Sequence, residues 1–113
     1  MSIHLYGIKN CSQVKKAKDF LKEKSINFVE VDVRKDGLER QTVNHWLRCR
    51  GLESVFNKRS KAYKDLDLGD VQIDESKFLD LIEESPLLFK RPLLVQGDTV
   101  LIGLKEIQES DLS

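Results

Sequence analysis

The fold is decided by residues 3–33, whose sequence is IHLYGIKNCSQVKKAKDFLKEKSINFVEVDV. Its first part alternates apolar and polar side chains up to Gly7, which is typical of a strand. Apolar residues then follow helical spacing at Val14, Ala17, Phe20 and Leu21. The β-branched run at 28–33 predicts a second strand, with Val29, Val31 and Val33 on one face. Strand, helix and strand within about 33 residues form one βαβ unit, so the two strands are expected to be parallel with a right-handed crossover.

The first helix is predicted to begin at Asn10 and to end near Lys24. Asparagine is a good N-cap residue, and Gln13 stands three places later, where the partner in a capping box would lie. This assignment places Cys11 in the first turn of the helix.

Residues 36–86 predict helices. Asp36-Gly37 forms a turn, and Val43, Trp46, Leu47 and Arg50 then follow helical spacing until Gly51 ends that helix. A short helix is predicted at 60–66. Another is predicted at 74–84, ending at Ser85-Pro86, with Phe78, Leu81 and Ile82 turned inward.

The last part of the chain predicts a hairpin and a short helix. Residues 93–96 and 99–102 flank Gly97-Asp98, a two-residue turn with glycine in its first position. Residues 104–112 are expected to form the last helix. The order predicts an α/β protein with a mixed four-stranded sheet, as in a thioredoxin-type fold with an all-helical insertion. We expect a single domain over 1–113, with the insertion at about 38–86.

Charge is balanced in total but not along the chain. The sequence has 19 basic and 19 acidic side chains, yet residues 1–24 carry +4, residues 25–66 carry +3 and residues 67–113 carry −7. The neutral total argues against a nucleic-acid binder, and no apolar run is long enough for a membrane span. The positive part is either a set of solvated helix faces or a means of concentrating an anionic ligand. With only two cysteines and no apolar signal core, we expect a cytoplasmic monomer.

Cys11 is the strongest candidate for chemistry. At a helix start, free backbone N–H groups and the helix dipole favour a thiolate, which is the nucleophilic form. Lys9, Lys15 and Lys16 lie within a few positions and add positive charge. The alternative is a small apolar residue buried beneath the end of the strand.

Cys11 has no second cysteine at the spacing of a Cys-x-x-Cys pair, because position 14 is Val14. A redox cycle would therefore need an external thiol such as glutathione, or Cys49. We interpret Cys49 as a partly buried structural residue. No metal site is expected, although His45 and Cys49 stand four residues apart on one predicted helix.

Two basic segments could hold an anion. The first contains Lys58, Arg59 and Lys61, and the second is Lys90-Arg91-Pro92. Guanidinium groups bind oxyanions through paired hydrogen bonds, and an X-Pro bond adopts the cis form at small cost. The alternatives are a solvated basic loop and a proline that only begins a strand.

Three separated signals together resemble one known family: the turn from strand to Cys11 to helix, the basic loop containing Arg59, and the Arg91-Pro92 step. The run from Leu5 to Cys11, the sequence Val14-Lys15-Lys16-Ala17 and the later Lys90-Arg91-Pro92-Leu93-Leu94 are similar to the arsenate reductase-like (ArsC/Spx) family, nearest to its YffB-like branch. The resemblance covers nearly the whole chain. It implies a thioredoxin-like fold with a helical insertion, in which Pro92 follows a cis bond and borders the cysteine site.

The resemblance also implies the roles of site residues. Cys11 would be the nucleophile, and Arg59 and Arg91 match arginines that hold the oxyanion in arsenate reductases. Lys9, Asn10, Ser12 and Pro92 would line the substrate site. In the implied mechanism the Cys11 thiolate attacks arsenate, glutathione displaces the first adduct, and a glutaredoxin restores the thiol. Glutathione would act as a co-substrate, with no bound cofactor.

Two departures from the family affect the expected function. Residues 99–103 contain no arginine, whereas arsenate reductases of this kind bring a third arginine from this region. The chain also lacks the Cys-x-x-Cys switch of Spx regulators. We therefore expect a glutathione-dependent thiol oxidoreductase acting on arsenate or on a mixed disulfide. The alternative is an Spx-like interaction module that binds RNA polymerase or another protein without chemistry.

Overall fold

A mixed four-stranded sheet forms the centre of one of two units in the computed structural model, which describes residues 2–112. Its strands are β1 (Ile3–Gly7), β2 (Val29–Asp32), β3 (Leu93–Gln96) and β4 (Thr99–Ile102). They lie in the order β2-β1-β3-β4. β1 pairs in parallel with β2 and antiparallel with β3, and β3 pairs antiparallel with β4. The predicted sheet, parallel pair and hairpin are confirmed.

The helices of the described residues are, in chain order, α1 (Ser12–Glu23), α2 (Val33–Asp36), α3 (Arg40–Arg50), α4 (Leu52–Val55), α5 (Lys61–Leu66), α6 (Glu75–Glu84) and α7 (Leu104–Glu109). A 3₁₀ turn covers Pro86–Leu88. The sheet unit comprises the described residues up to 36 and from 91 onward, and the helical unit comprises 37–90. The helical unit therefore begins and ends near the predicted insertion bounds of 38 and 86. Whether the two units make a single domain stays a prediction.

The core of the sheet unit lies between the sheet and its helices. Side chains of β1 alternate between buried and half-buried, as a one-sided strand requires. Six buried residues form one cluster: Ile3, Leu5, Ala17, Leu21, Leu94 and Ile107. The amphipathic stripe predicted for α1 is thus its buried face.

The end of β2 and the end of the last helix differ from the predicted boundaries. Val33 was predicted to continue the second strand, but it begins α2, because the side chain of Asp32 accepts a hydrogen bond from the Arg34 backbone N–H at 3.0 Å and turns the chain. The last helix ends at Glu109 instead of residue 112. There the Ser110 hydroxyl donates to the Ile107 carbonyl at 2.6 Å and satisfies one of the last carbonyls of the helix.

The helical unit has its own apolar core. Trp46 on α3 packs against Phe89 with ring centroids 5.1 Å apart, and Phe56 packs against Phe78 of α6 at 4.9 Å. Leu81 was predicted to face inward but is only half-buried, and Leu79 is buried in its place. Leu79 and Leu81 are two positions apart, so their side chains point about 200° apart around the helix axis. Only one of the two can therefore face the core.

No helix among residues 2–112 is both long and apolar enough to cross a lipid bilayer. The longest of them, α1, has 12 residues and contains four lysines.

Candidate functional site

One edge of the sheet collects three side chains. β1 and β2 are parallel, so Gly7 and Asp32 end their strands side by side. β3 is antiparallel to β1 and begins at the same edge, where Leu93 pairs with Tyr6. Residues that follow β1 and β2 or precede β3 therefore meet there. These residues include Cys11, Arg34 and Arg91.

Cys11 lies at the N-cap of α1, not in its first turn. Its backbone is extended (φ −97°, ψ 122°), and its carbonyl accepts the first helical hydrogen bond from the Lys15 N–H at 3.0 Å. Asn10, the predicted N-cap, belongs to the preceding turn. The Cys11 side chain makes no capping hydrogen bond and is half-buried. Cys11 thus directly precedes the first turn of α1, whose N–H groups have no partner within the helix.

Arg91 interacts electrostatically with Cys11. The guanidinium is half-buried, with its Nε atom inaccessible to solvent. Burial lowers the pKa of Arg91, the charge of Cys11 raises it, and the neighbouring cation Arg34 lowers it. The positive charge of Arg91 is therefore favoured by Cys11 and opposed by burial and by Arg34 at this edge of the sheet.

Pro92 fixes the entry of β3. The Arg91-Pro92 bond is cis, as the family resemblance implied. Pro92 is buried, and its carbonyl accepts a hydrogen bond from the Gly103 N–H at 2.7 Å. The backbone that carries Arg91 is thereby tied to the end of β4 through one short bond.

Val14 occupies the place of a second cysteine and supports the turn that carries Cys11. Its side chain is 2% exposed and lies against Gly7. A Cβ added at Gly7 would lie only 2.6 and 2.9 Å from the two methyl carbons of Val14. The strand and the helix can approach this closely only because residue 7 has no side chain.

Arg59, a predicted site residue, belongs to the helical unit. It follows α4 on a turn in which its backbone N–H donates to the Asn57 side chain at 3.1 Å. The turn ends at Ser60, which caps α5. Arg59 lines a cavity of about 480 Å³ together with Glu53, Phe56, Asn57, Lys58 and Lys90. Its role stays a prediction from the resemblance.

Known proteins resemble this chain over most of its length. The model of the ArsC family matches residues 6–110. The chain belongs to the ArsC family. It is 30% identical to the global transcriptional regulator Spx of Streptococcus pneumoniae over 92% of this chain and 80% of that protein.

Solved structures give the same assignment. The YffB protein has a TM-score of 0.84 and 31% identity, over 90% of each chain. A possible arsenate reductase from Streptococcus mutans has a TM-score of 0.77 and 27% identity, over 89% of each chain. The thioredoxin-like fold and the ArsC family predicted from the sequence are confirmed.

The remaining predicted ligand residues of this ArsC-family chain are at the surface. Lys9, Asn10 and Ser12 surround Cys11 in the chain and are exposed, as are Lys15 and Lys16 on α1. Exposed lysines near a site that binds an anion make the local electrostatic potential more positive. That these residues bind a substrate stays a prediction.

Arg34 is a cation at this site that the sequence pattern does not single out. The predicted second strand ends at Val33, which leaves Arg34 in an unassigned connection. Parallel pairing would have revealed it, since whatever follows β2 must lie near whatever follows β1. Within the ArsC-family fold it is a second cation at the edge that carries Cys11 and Arg91.

Cys49 lies in the last turn of α3 and is half-buried, as predicted for a structural residue. It is not surrounded only by apolar groups, however. Its Sγ lies 3.8 Å from Nε2 of His45, one helical turn earlier.

Proposed function

We propose that this ArsC-family protein is a glutathione-dependent thiol oxidoreductase that uses Cys11 as its single nucleophile and a mixed disulfide as its substrate. One observation carries the proposal: Cys11 lies at the N-cap of α1 and interacts electrostatically with Arg91 at the same sheet edge. In general, the backbone N–H groups at a helix start and a nearby guanidinium both favour a thiolate over a thiol. A thiolate at this place is accessible because Cys11 is only half-buried.

The reaction has two exchange steps. The Cys11 thiolate attacks the glutathione sulfur of a mixed disulfide, the S–S bond breaks, and the other thiolate leaves and takes up a proton. A second glutathione thiolate then attacks the glutathione sulfur bound to Cys11, which releases glutathione disulfide and restores the Cys11 thiolate. The mixed disulfide gains two electrons, and two glutathione units leave joined as a disulfide.

The external thiol is needed because Val14 leaves Cys11 without a local resolving cysteine. A glutaredoxin is the proposed alternative reductant for the second step. Because glutathione is abundant and reduced in the cytoplasm, we propose that compartment for the reaction.

Arsenate is the second proposed substrate. The thiolate would attack arsenic with loss of water, and two glutathione thiols would supply the two electrons that yield arsenite and glutathione disulfide. Arg91 would stabilise the oxyanion. The absence of any arginine at 99–103 favours the mixed disulfide over arsenate.

The test is turnover by the Cys49→Ser protein, which retains Cys11 as its one thiol. We expect it to reduce the mixed disulfide of glutathione and mercaptoethanol, followed as NADPH oxidation by glutathione reductase. Cys11→Ser is the matched control and should be inactive. Equal rates in the two variants, or no turnover in either, would contradict the proposal. The same assay with arsenate decides the second substrate.

A non-enzymatic role is the alternative, supported by the 30% identity to the regulator Spx. In that case the chain would bind a protein such as RNA polymerase through its surface. Affinity capture of RNA polymerase that is unchanged by Cys11→Ser, together with absent turnover, would favour this alternative. Capture of glutaredoxin or glutathione that depends on Cys11 would favour the enzyme.

A further inference from the structure

We propose that Cys49 is a second reactive thiol of this protein, activated by His45, and that it forms mixed disulfides with small anionic disulfides such as oxidised glutathione. This is a modification site in the helical unit. It does not require Cys11 to be a catalyst, so it stands or falls separately from the function proposed above.

The first observation is the pairing of a nucleophile with a base. The Cys49 Sγ lies 3.8 Å from the His45 Nε2, within hydrogen-bonding range for sulfur. The two residues are four positions apart on α3, which places their side chains on one face. A neutral imidazole in this position can accept the thiol proton, and a thiolate beside an imidazolium is the pairing that activates cysteine nucleophiles.

The second observation is the charge of α3. The helix contains three arginines and no carboxylate, and two of the arginines, Arg48 and Arg50, flank Cys49 in the last turn. The negative end of the helix dipole opposes a thiolate there. The positive charge that these arginines give to α3 offsets that effect and attracts an anionic disulfide.

The third observation is access. Cys49 and His45 are each half-buried, whereas Val43, Trp46 and Leu47 of the same helix are at most 3% exposed. The face that carries the thiol is therefore not the face that fills the core. Cys49 is therefore partly open to solvent, and thiol–disulfide exchange depends on such access.

The chemical step is thiol–disulfide exchange. His45 takes the proton from Cys49, and the thiolate attacks one sulfur of oxidised glutathione. The S–S bond of glutathione disulfide breaks as the new Cys49–glutathione bond forms, and one glutathione thiolate leaves. Excess reduced glutathione reverses the step, so the modification follows the ratio of disulfide to thiol.

The experiment uses the Cys11→Ser protein, in which Cys49 is the sole thiol. The rate of mixed-disulfide formation with oxidised glutathione is measured by mass spectrometry in the folded protein and in the same protein unfolded in urea. We expect the folded protein to react about tenfold faster, because an ordinary thiol is only a few per cent thiolate at neutral pH. A folded rate no higher than the unfolded one would overturn the proposal without the need for any further variant.

Three added substitutions assign the cause. His45→Gln should remove the rate advantage, while His4→Gln on β1 should leave it unchanged, and circular dichroism checks that each variant folds. Retention of the advantage in His45→Gln would overturn the role of His45. Arg48→Gln should slow the reaction with oxidised glutathione but not with the neutral hydroxyethyl disulfide, and equal slowing of both would overturn the proposed attraction of anions.

Discussion

The helices α1 and α5 begin with different N-cap residues. Each helix start leaves backbone N–H groups without a partner inside the helix. Ser60 caps α5, since its hydroxyl accepts a hydrogen bond from the Tyr63 N–H at 3.1 Å and donates to the Asn57 carbonyl at 2.8 Å. Cys11 occupies the equivalent position of α1 and makes no capping hydrogen bond. Serine is a preferred N-cap residue and cysteine is not. Helix α1 therefore forgoes a stabilising cap at the place where its N–H groups can face a sulfur.

The comparison suggests that stability and reactivity compete at residue 11. Sites that break a local preference are often functional, because the surrounding structure compensates for the loss. Around Cys11 the compensation comes from the buried contact of Val14 with Gly7 and from the strand pairing beside it. Four substitutions test this difference between the two helix starts.

Removal of the cation should have the largest effect. Arg91→Ala is expected to lower kcat/KM for the glutathione mixed disulfide by about 100-fold, because a partly buried guanidinium that supports developing charge contributes this much in comparable sites. Steady-state kinetics in the Cys49→Ser background measure it. Arg91→Lys should retain part of the rate, and the urea midpoint checks that the fold persists. A kcat/KM within a factor of about two of that of the Cys49→Ser parent would show that the reaction at Cys11 does not depend on Arg91.

Gly7→Ala should have the next largest effect. The new Cβ would lie 2.6 Å from one methyl carbon of Val14, and this contact is not with the flexible end of a long side chain. We expect the free energy of unfolding to fall by about 2 kcal/mol, as in other overpacked cores. Urea denaturation measures this loss. The double variant Gly7→Ala with Val14→Ala should recover part of it, and a double variant less stable than both single variants would contradict the packing explanation.

Ser60→Ala removes the cap from α5. The variant loses the hydrogen bond to the Tyr63 N–H, and we expect it to unfold about 1 kcal/mol more easily. Thermal and urea unfolding report the change. Ser76→Ala on the exposed face of α6 is the control and should be nearly neutral. If the Ser60→Ala and Ser76→Ala variants are equally stable, the Ser60 cap does not stabilise α5, and the two helix starts do not differ in this respect.

Cys11→Ser should change the free energy of unfolding least, and it should raise it, whereas Gly7→Ala and Ser60→Ala lower it. A serine at this N-cap can accept a hydrogen bond from the N–H of Gln13 or Val14, so we expect a gain of about 0.5 kcal/mol in the free energy of unfolding. Cys11→Ala offers no acceptor and is the matched control. If serine is no more stable than alanine at residue 11, the missing cap is not what separates α1 from α5.

Most of the fold could be predicted from residue patterns. The alternation in β1 and the stripe on α1 each reflect a buried face, and the Gly97-Asp98 turn reflects a backbone that glycine favours, with φ +60° at Gly97. α4 was missed because four residues, Leu52–Val55, are too few to show a period. The N-cap was misplaced by one residue because the prediction followed side-chain preference, whereas the chain turns at Cys11.

The candidate site could be predicted only in part. Local sequence signals place Cys11 after β1 and Arg91 before β3. Because β1 and β3 are antiparallel, the end of β1 lies beside the start of β3. Arg34 depends on where β2 ends, which a hydrogen bond from the side chain of Asp32 decides. The Cys49–His45 contact was visible as a spacing, but its 3.8 Å separation needs coordinates.

The burial of Val14 has a consequence for how such chains diversify. A fully enclosed position of this size suits a thiol nearly as well as it suits valine, since cysteine is among the residues most often found inside proteins. One amino-acid substitution at residue 14 would therefore convert the one-thiol site at the start of α1 into a dithiol site without rebuilding the strand, the turn or the helix. Such a substitution would replace dependence on a soluble reductant with a self-contained redox couple.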